Sequence, residues 1–110
     1  AHGCTVESTY THGYPATVNW DEQTDIAIAA AQEAIGTSNV NPNLNPLPGG
    51  EDFAFMLEQV PGCYAFIGNG ITESDEFIHA PRYDFDDGII ANGVSYWVSL
   101  ARKELAKRDD

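Results

Sequence analysis

The stretch Cys63-Tyr64-Ala65-Phe66-Ile67-Gly68-Asn69-Gly70 decides how the chain is read. Pro61-Gly62 ahead of it is a turn signal. Residues 63–67 form a nearly continuous apolar run, and Gly68 closes it. Such a run between turn formers predicts a strand buried on both faces, as in a sheet covered by helices. Asn69-Gly70 then opens a loop at the strand's carboxyl end, where ligand sites of open α/β sheets gather.

Downstream, that loop runs through Glu73, Asp75, Glu76, His79, Asp84 and Asp86 to Asp87. A helix is predicted from about residue 88 to 107, with Ile90, Val94, Trp97, Val98, Ala101 and Leu105 as its buried side. Asp86 and Asp87 precede it, and Arg102, Lys103, Lys107 and Arg108 cluster near its end, matching the helix dipole. Upstream, Phe53, Met56, Leu57 and Val60 fit a short helix that follows Gly49-Gly50. Before it, residues 37–50 are too rich in proline, asparagine and glycine for a regular helix.

An earlier helix carries Ala27, Ile28, Ala31 and Ile35 at helical spacing and stops at Gly36. Either Asn19, with Glu22 in capping-box spacing, or Asp21 caps it. Residues 5–10 alternate partially, as a strand does. The expected fold class is therefore α/β: a partial layered sheet with helices, lacking most of its strands.

Composition narrows the function. The formal net charge is -12, from 17 acidic and 5 basic residues. No basic patch exists to meet phosphate backbones or an anionic membrane, so nucleic acid and membrane are not expected partners. No apolar run is long enough to span a bilayer. Two cysteines in an ordinary composition suit a reducing cytoplasm. Cys63, without a local base or cation, reads as an inert thiol rather than a nucleophile.

Of the three histidines, His2 and His12 lie near the start, whereas His79 follows the expected strand amid acids. Imidazole binds zinc well because a ring nitrogen donates while neutral near pH 7. Asp84, Asp86 and Asp87 are potential supports for it, yet caps and solvated acids explain them equally. From the residues alone, a structural or surface His79 and a metal or catalytic His79 both stand. No complete metal set occurs by local spacing.

Three segments sharpen this picture: Gly49-Gly50-Glu51-Asp52-Phe53-Ala54, Pro61-Gly62-Cys63-Tyr64-Ala65-Phe66-Ile67-Gly68-Asn69-Gly70 and His79-Ala80-Pro81-Arg82-Tyr83-Asp84-Phe85-Asp86-Asp87. In this order the chain resembles the C-terminal part of the M20 family of metal-dependent peptidases and amidohydrolases. The closest resemblance is to its hippurate hydrolase and N-acyl-amino-acid amidohydrolase branch. Tyr14-Pro15-Ala16-Thr17-Val18-Asn19 resembles the family's passage out of its smaller lid domain. The resemblance implies that residues 1–19 are the last lid strand and exit, and residues 20–110 the C-terminal portion of a zinc-peptidase-like catalytic domain.

The resemblance also implies that His79 is the last histidine ligand of a two-ion site, usually zinc or manganese. It places Gly49, Gly50 and Asp52 in the loop lining the substrate end of the cleft. Glu51 shares the motif without an assignable chemical step. The implied substrate is an N-acyl amino acid, cleaved at its amide by metal-activated water with a glutamate as general base. The other metal ligands, that glutamate and the lid groups that steady the developing oxyanion do not occur in this sequence.

The expectation is a fragment, inactive alone and without retained metal, whose parent forms a homodimer or which associates with the missing N-terminal portion. The competing expectations are a non-catalytic α/β interaction module and a complementing subunit, each with a structural His79.

Overall fold

Alanine-rich sequence gives the first helix, α1, over Asp21–Ile35. Gly36 ends it with a φ of 86°, a backbone geometry that glycine adopts without a Cβ penalty. The N-terminus departs from the capping-box expectation. Trp20 is the capping residue and makes no side-chain cap, while Asp21 and Glu22 sit in the first turn beside the positive end of the dipole. A short 3₁₀ turn follows at Thr37–Asn39. Helix α2 is one short segment, Phe53–Leu57. A second 3₁₀ turn, Asp87–Ile89, leads into α3, Ile90–Ala106. Its entry is fixed by Asp86, whose Oδ1 accepts the Gly88 N–H at 2.8 Å. The computed structural model describes residues 2–70 and 76–106. The expected roles of Glu73, Asp75, Lys107 and Arg108 lie outside those residues.

α1 lies along α3. The side of α3 that turns inward is not the one expected. Ile90, Val94, Trp97 and Leu105 are exposed, Trp97 by 65%. Ser99 is buried instead, with Gly93, Tyr96, Leu100 and Lys103 half-buried around it. Small side chains let helix axes approach, and α1 likewise buries Ala27 and Ala30. Lys103 Nζ closes the pair on Glu33 Oε2 at 2.7 Å, and the ammonium holds the Glu33 carboxyl below its ordinary range.

The α/β expectation is overturned: among the described residues there is no strand and no sheet. Residues 5–10 are extended without a partner, Val6 and Tyr10 being 86% and 83% exposed. Residues 63–67 are also unpaired, and Phe66 and Ile67 are exposed rather than buried on both faces. The physical reason is that a strand needs a second one alongside to bond it, and no described stretch supplies it; Tyr64 bonds a side chain instead. The Tyr64 N–H donates to Asn19 Oδ1 at 2.7 Å, and its carbonyl accepts from Asn19 Nδ2 at 2.9 Å. A single amide side chain thus takes both ladder groups of that residue. Next to it, Trp20 N donates to the Gly62 carbonyl at 3.0 Å. A second asparagine bridges two residues: Asn69 Nδ2 donates to the Asp84 carbonyl at 2.7 Å and Asn69 Oδ1 accepts the Asp86 N–H at 2.9 Å.

The buried apolar set among the described residues is small: Ala27, Ala30, Ala54, Leu57 and Ile89. The radius of gyration is 19.2 Å, against about 13 Å for a compact domain of this length. Among the described residues no helix is long and apolar enough to cross a membrane.

Candidate functional site

The glycine-rich loop is built from contacts distant in sequence. A methyl group placed on Gly50 would stand 2.6 Å from Tyr14 Cδ2 and 3.3 Å from Cε2, so the Tyr14 ring lies directly against that backbone. Gly49 has nothing within 4 Å of the same position. Gly50 is therefore glycine because of a close approach, whereas space alone does not require glycine at 49. The Tyr14 ring also meets Phe55 edge-on, with centroids 5.7 Å apart.

Glu51 closes the far side of the loop. Its Oε1 accepts the Phe53 N–H at 3.0 Å. That bond, and after it the Tyr64 hydroxyl, holds the Glu51 carboxyl below its ordinary value. Reciprocally, the Glu51 carboxylate pushes the Tyr64 phenol up. The Phe53 and Tyr64 rings pack with centroids 5.5 Å apart, which brings the two elements together. Glu51 thus has a role that sequence reasoning left unassigned: it satisfies the start of α2. The amides at the start of α2 are taken up locally. Phe53 N–H is taken by Glu51 Oε1, Ala54 N–H by the Glu51 carbonyl and Phe55 N–H by the Asp52 carbonyl. The Gly49 and Gly50 N–H groups have no hydrogen-bond partner among the described residues. Asp52 is exposed and caps nothing with its side chain.

His79 sits in a tight turn, Ala80 N–H donating to the Phe77 carbonyl at 3.1 Å. Its φ is 72°, and it is the one non-glycine residue in the left-handed region among the described residues. That position of a turn is ordinarily given to glycine or asparagine. The imidazole is exposed. Arg82 Nε reaches Glu76 Oε1 across the turn at 2.8 Å. Among the described residues no group of three or more histidine, cysteine or carboxylate side chains is placed to hold a metal ion. Zinc takes at least three protein donors, so this imidazole fits one ligand position and does not make a site. The Cys63 thiol is free and half-buried near Tyr96, in keeping with an inert group.

An open apolar hollow of ≈ 530 Å³ lies on the outer side of α2, lined by Phe53, Phe55, Met56, Gln59, Val60, Pro61 and Gly62. It contains neither His79 nor Gly49 or Gly50.

The residues missed in the sequence are those that hold the loop: Tyr14, Asn19, Trp20 and Tyr64. Asn19 was legible as a capping residue, and only its long-range bond to Tyr64 shows otherwise. Trp20 Nε1 donates to the Leu57 carbonyl at 3.0 Å, a contact no local pattern announces.

The chain matches the peptidase family M20/M25/M40 over residues 3–103 and belongs to that family. It is 40% identical over 91 residues to a hippurate hydrolase of Campylobacter jejuni subsp. jejuni, covering 83% of this chain and 23% of that protein. It is 34% identical over 88 residues to the putative amidohydrolase YhaA of Bacillus subtilis, covering 78% of this chain and 22% of that one. An N-acetyl-L-cysteine deacetylase of Bacillus subtilis is 38% identical over 60 residues, or 54% of this chain and 14% of that protein. The chain thus spans under a third of the length of these relatives. No solved structure matches it.

Proposed function

We propose that the chain is part of a metal-dependent amidohydrolase that cleaves the amide bond of N-acyl amino acids, hippurate-like compounds among them. The observation that carries this reading is the family match across residues 3–103, together with the similarity to a hippurate hydrolase. In this reading residues 1–19 leave a lid domain, and residues 20–110 belong to the catalytic domain. His79 supplies one ligand to a divalent metal centre of zinc or manganese, with its companion donors elsewhere in the protein. A strained backbone at an exposed histidine supports that role, because such strain clusters at functional sites. The ion's contribution is Lewis-acid activation of the amide and of water. Gly49, Gly50 and Asp52 line the substrate end, and the unengaged Gly49 and Gly50 N–H groups suit a carboxylate.

The exposed stripe of Ile90, Val94, Trp97 and Leu105 supports association with the N-terminal portion of such an enzyme, since an apolar face of this kind marks a contact surface. The small core supports inactivity of the chain alone. The enzyme is a homodimer, and its setting is the cytoplasm, where the free state of both thiols is ordinary.

The test is hydrolysis of hippurate and N-acetyl amino acids by a polypeptide of family length carrying this chain, with and without His79→Ala. The expected result is metal-supported release of the free amino acid, lost in the variant. No hydrolysis of any N-acyl amino acid overturns the class of reaction. Full turnover in the variant overturns the role of His79.

A further inference from the structure

We propose that Tyr14 is a positioning residue for the Gly49-Gly50 loop, so that the path of the N-terminal arm sets the shape of the substrate end. This rests on the reading of that loop as substrate-binding. Three ties fasten residues 14–20 to residues 50–64. The Tyr14 ring lies on Gly50 and against Phe55. The Asn19 amide holds both backbone groups of Tyr64. The Trp20 indole holds the Leu57 carbonyl, and its backbone N–H holds Gly62. Asn19 and Trp20 anchor the segment beyond the loop, and only Tyr14 touches a glycine of the loop itself.

The two glycines differ in a way this accounts for. Gly50 has no room for a side chain because the ring occupies the space, while Gly49 beside it has open space. Residues 5–13, by contrast, are exposed throughout, so a displacement of the arm meets its first fixed point on the loop at Tyr14. A change in the arm's direction lifts or presses the ring and turns the Gly49 and Gly50 N–H groups with it. Phe55 also contacts the ring, edge-on with centroids 5.7 Å apart, and so helps to fix its place.

The experiment compares nuclear magnetic resonance spectra of a family-length polypeptide carrying this chain with its Tyr14→Phe, Tyr14→Leu, Gly49→Ala and Gly50→Ala variants. The Gly50 α-carbon lies beside an aromatic ring, so the expected result is a ring-current displacement of its α-protons kept in Tyr14→Phe and lost in Tyr14→Leu, with α1 and α3 signals unmoved. Gly50→Ala should shift the Tyr14 and Phe55 ring signals, Gly49→Ala should not, and Gly50→Ala should add nothing once Tyr14 is leucine. Equal effects of the two alanines, or Gly50 signals indifferent to Tyr14→Leu, overturn the proposal. In a family-length polypeptide, Tyr14→Leu should raise KM for an N-acyl amino acid more than it lowers kcat, with Tyr14→Phe restoring it. Loop signals that move while KM stays constant overturn the assignment of the loop to substrate rather than the hold of Tyr14 on it.

Discussion

Around Gly50 the chain is tied from three directions: the Tyr14 ring, the Glu51 carboxylate on Phe53 N–H, and, one element further out, the Asn19 bridge to Tyr64. Around His79 the described residues show turn bonds at Ala80 and Tyr83 and an ion pair between Arg82 and Glu76, in which the arginine side chain is 85% exposed. The loop is met by the Tyr14 ring from the distant N-terminal arm, whereas the bonds that close the histidine turn come from neighbours within a few residues. Exposed ion pairs contribute little, whereas part-buried backbone groups left without partners are costly. This chain therefore organises the glycine loop from a distance and leaves His79 in an exposed turn with a left-handed backbone.

The contrast can be broken most severely at Leu57, which is 5% exposed. Leu57→Ala should cost about 2–5 kcal/mol. Urea unfolding measures the loss, and the Gly50 and Tyr64 signals should broaden while those of Ala80 and Tyr83 stay. Equal disturbance at both places would erase the distinction between them.

Asn19→Ala removes two hydrogen bonds and strands both ladder groups of Tyr64, at a cost of about 1–3 kcal/mol. Amide exchange at Tyr64 should accelerate without any change at Ala80. Trp20→Phe deletes the indole donor to Leu57 and should cost about 1 kcal/mol in the same denaturation assay. His79→Gly acts in the opposite direction. It relieves the left-handed strain and should stabilise the chain by up to about 1 kcal/mol. A thermal midpoint that rises, set against hydrolysis that disappears in the family-length polypeptide, would identify the strain as kept for function.

The smallest effect is one of pH. The Glu51 carboxyl is held below 4.5. A depressed carboxyl contributes fully above its unfolded value, and the contribution disappears as pH falls through the folded one. The Tyr64 phenol is raised above 10.0, so its contribution is present below that pH and lost above the raised value. Tyr64 ring signals should therefore hold steady between these limits and move outside them, and Glu51→Gln should flatten the acid limb.

Much was legible in local pattern. The three helices follow from alanine content, from periodicity and from the Gly36 and Gly50 boundaries, because a helix's hydrogen bonds close within four residues. The family was legible in the three motifs around Gly50, Cys63 and His79, and the match over residues 3–103 bears it out. The strand at residues 63–67 was misread because an apolar run states a wish for burial but names no partner. A strand needs a second strand to bond it, and no described stretch lies alongside; Tyr64 of the run is bonded instead by the Asn19 side chain.

Which face of α3 turns inward was likewise undecidable from its own stripe. Large apolar residues at Ile90, Val94 and Trp97 predict the buried side, but the close approach of α1 selects Ser99 and its small or half-buried neighbours. The sequence by itself determined helix positions, motif order and family, all properties of short-range spacing. Only the tertiary structure decided that Tyr14 lies on Gly50 and that Asn19 holds both backbone groups of Tyr64. Those facts depend on groups that meet across many intervening residues, where local spacing carries no information.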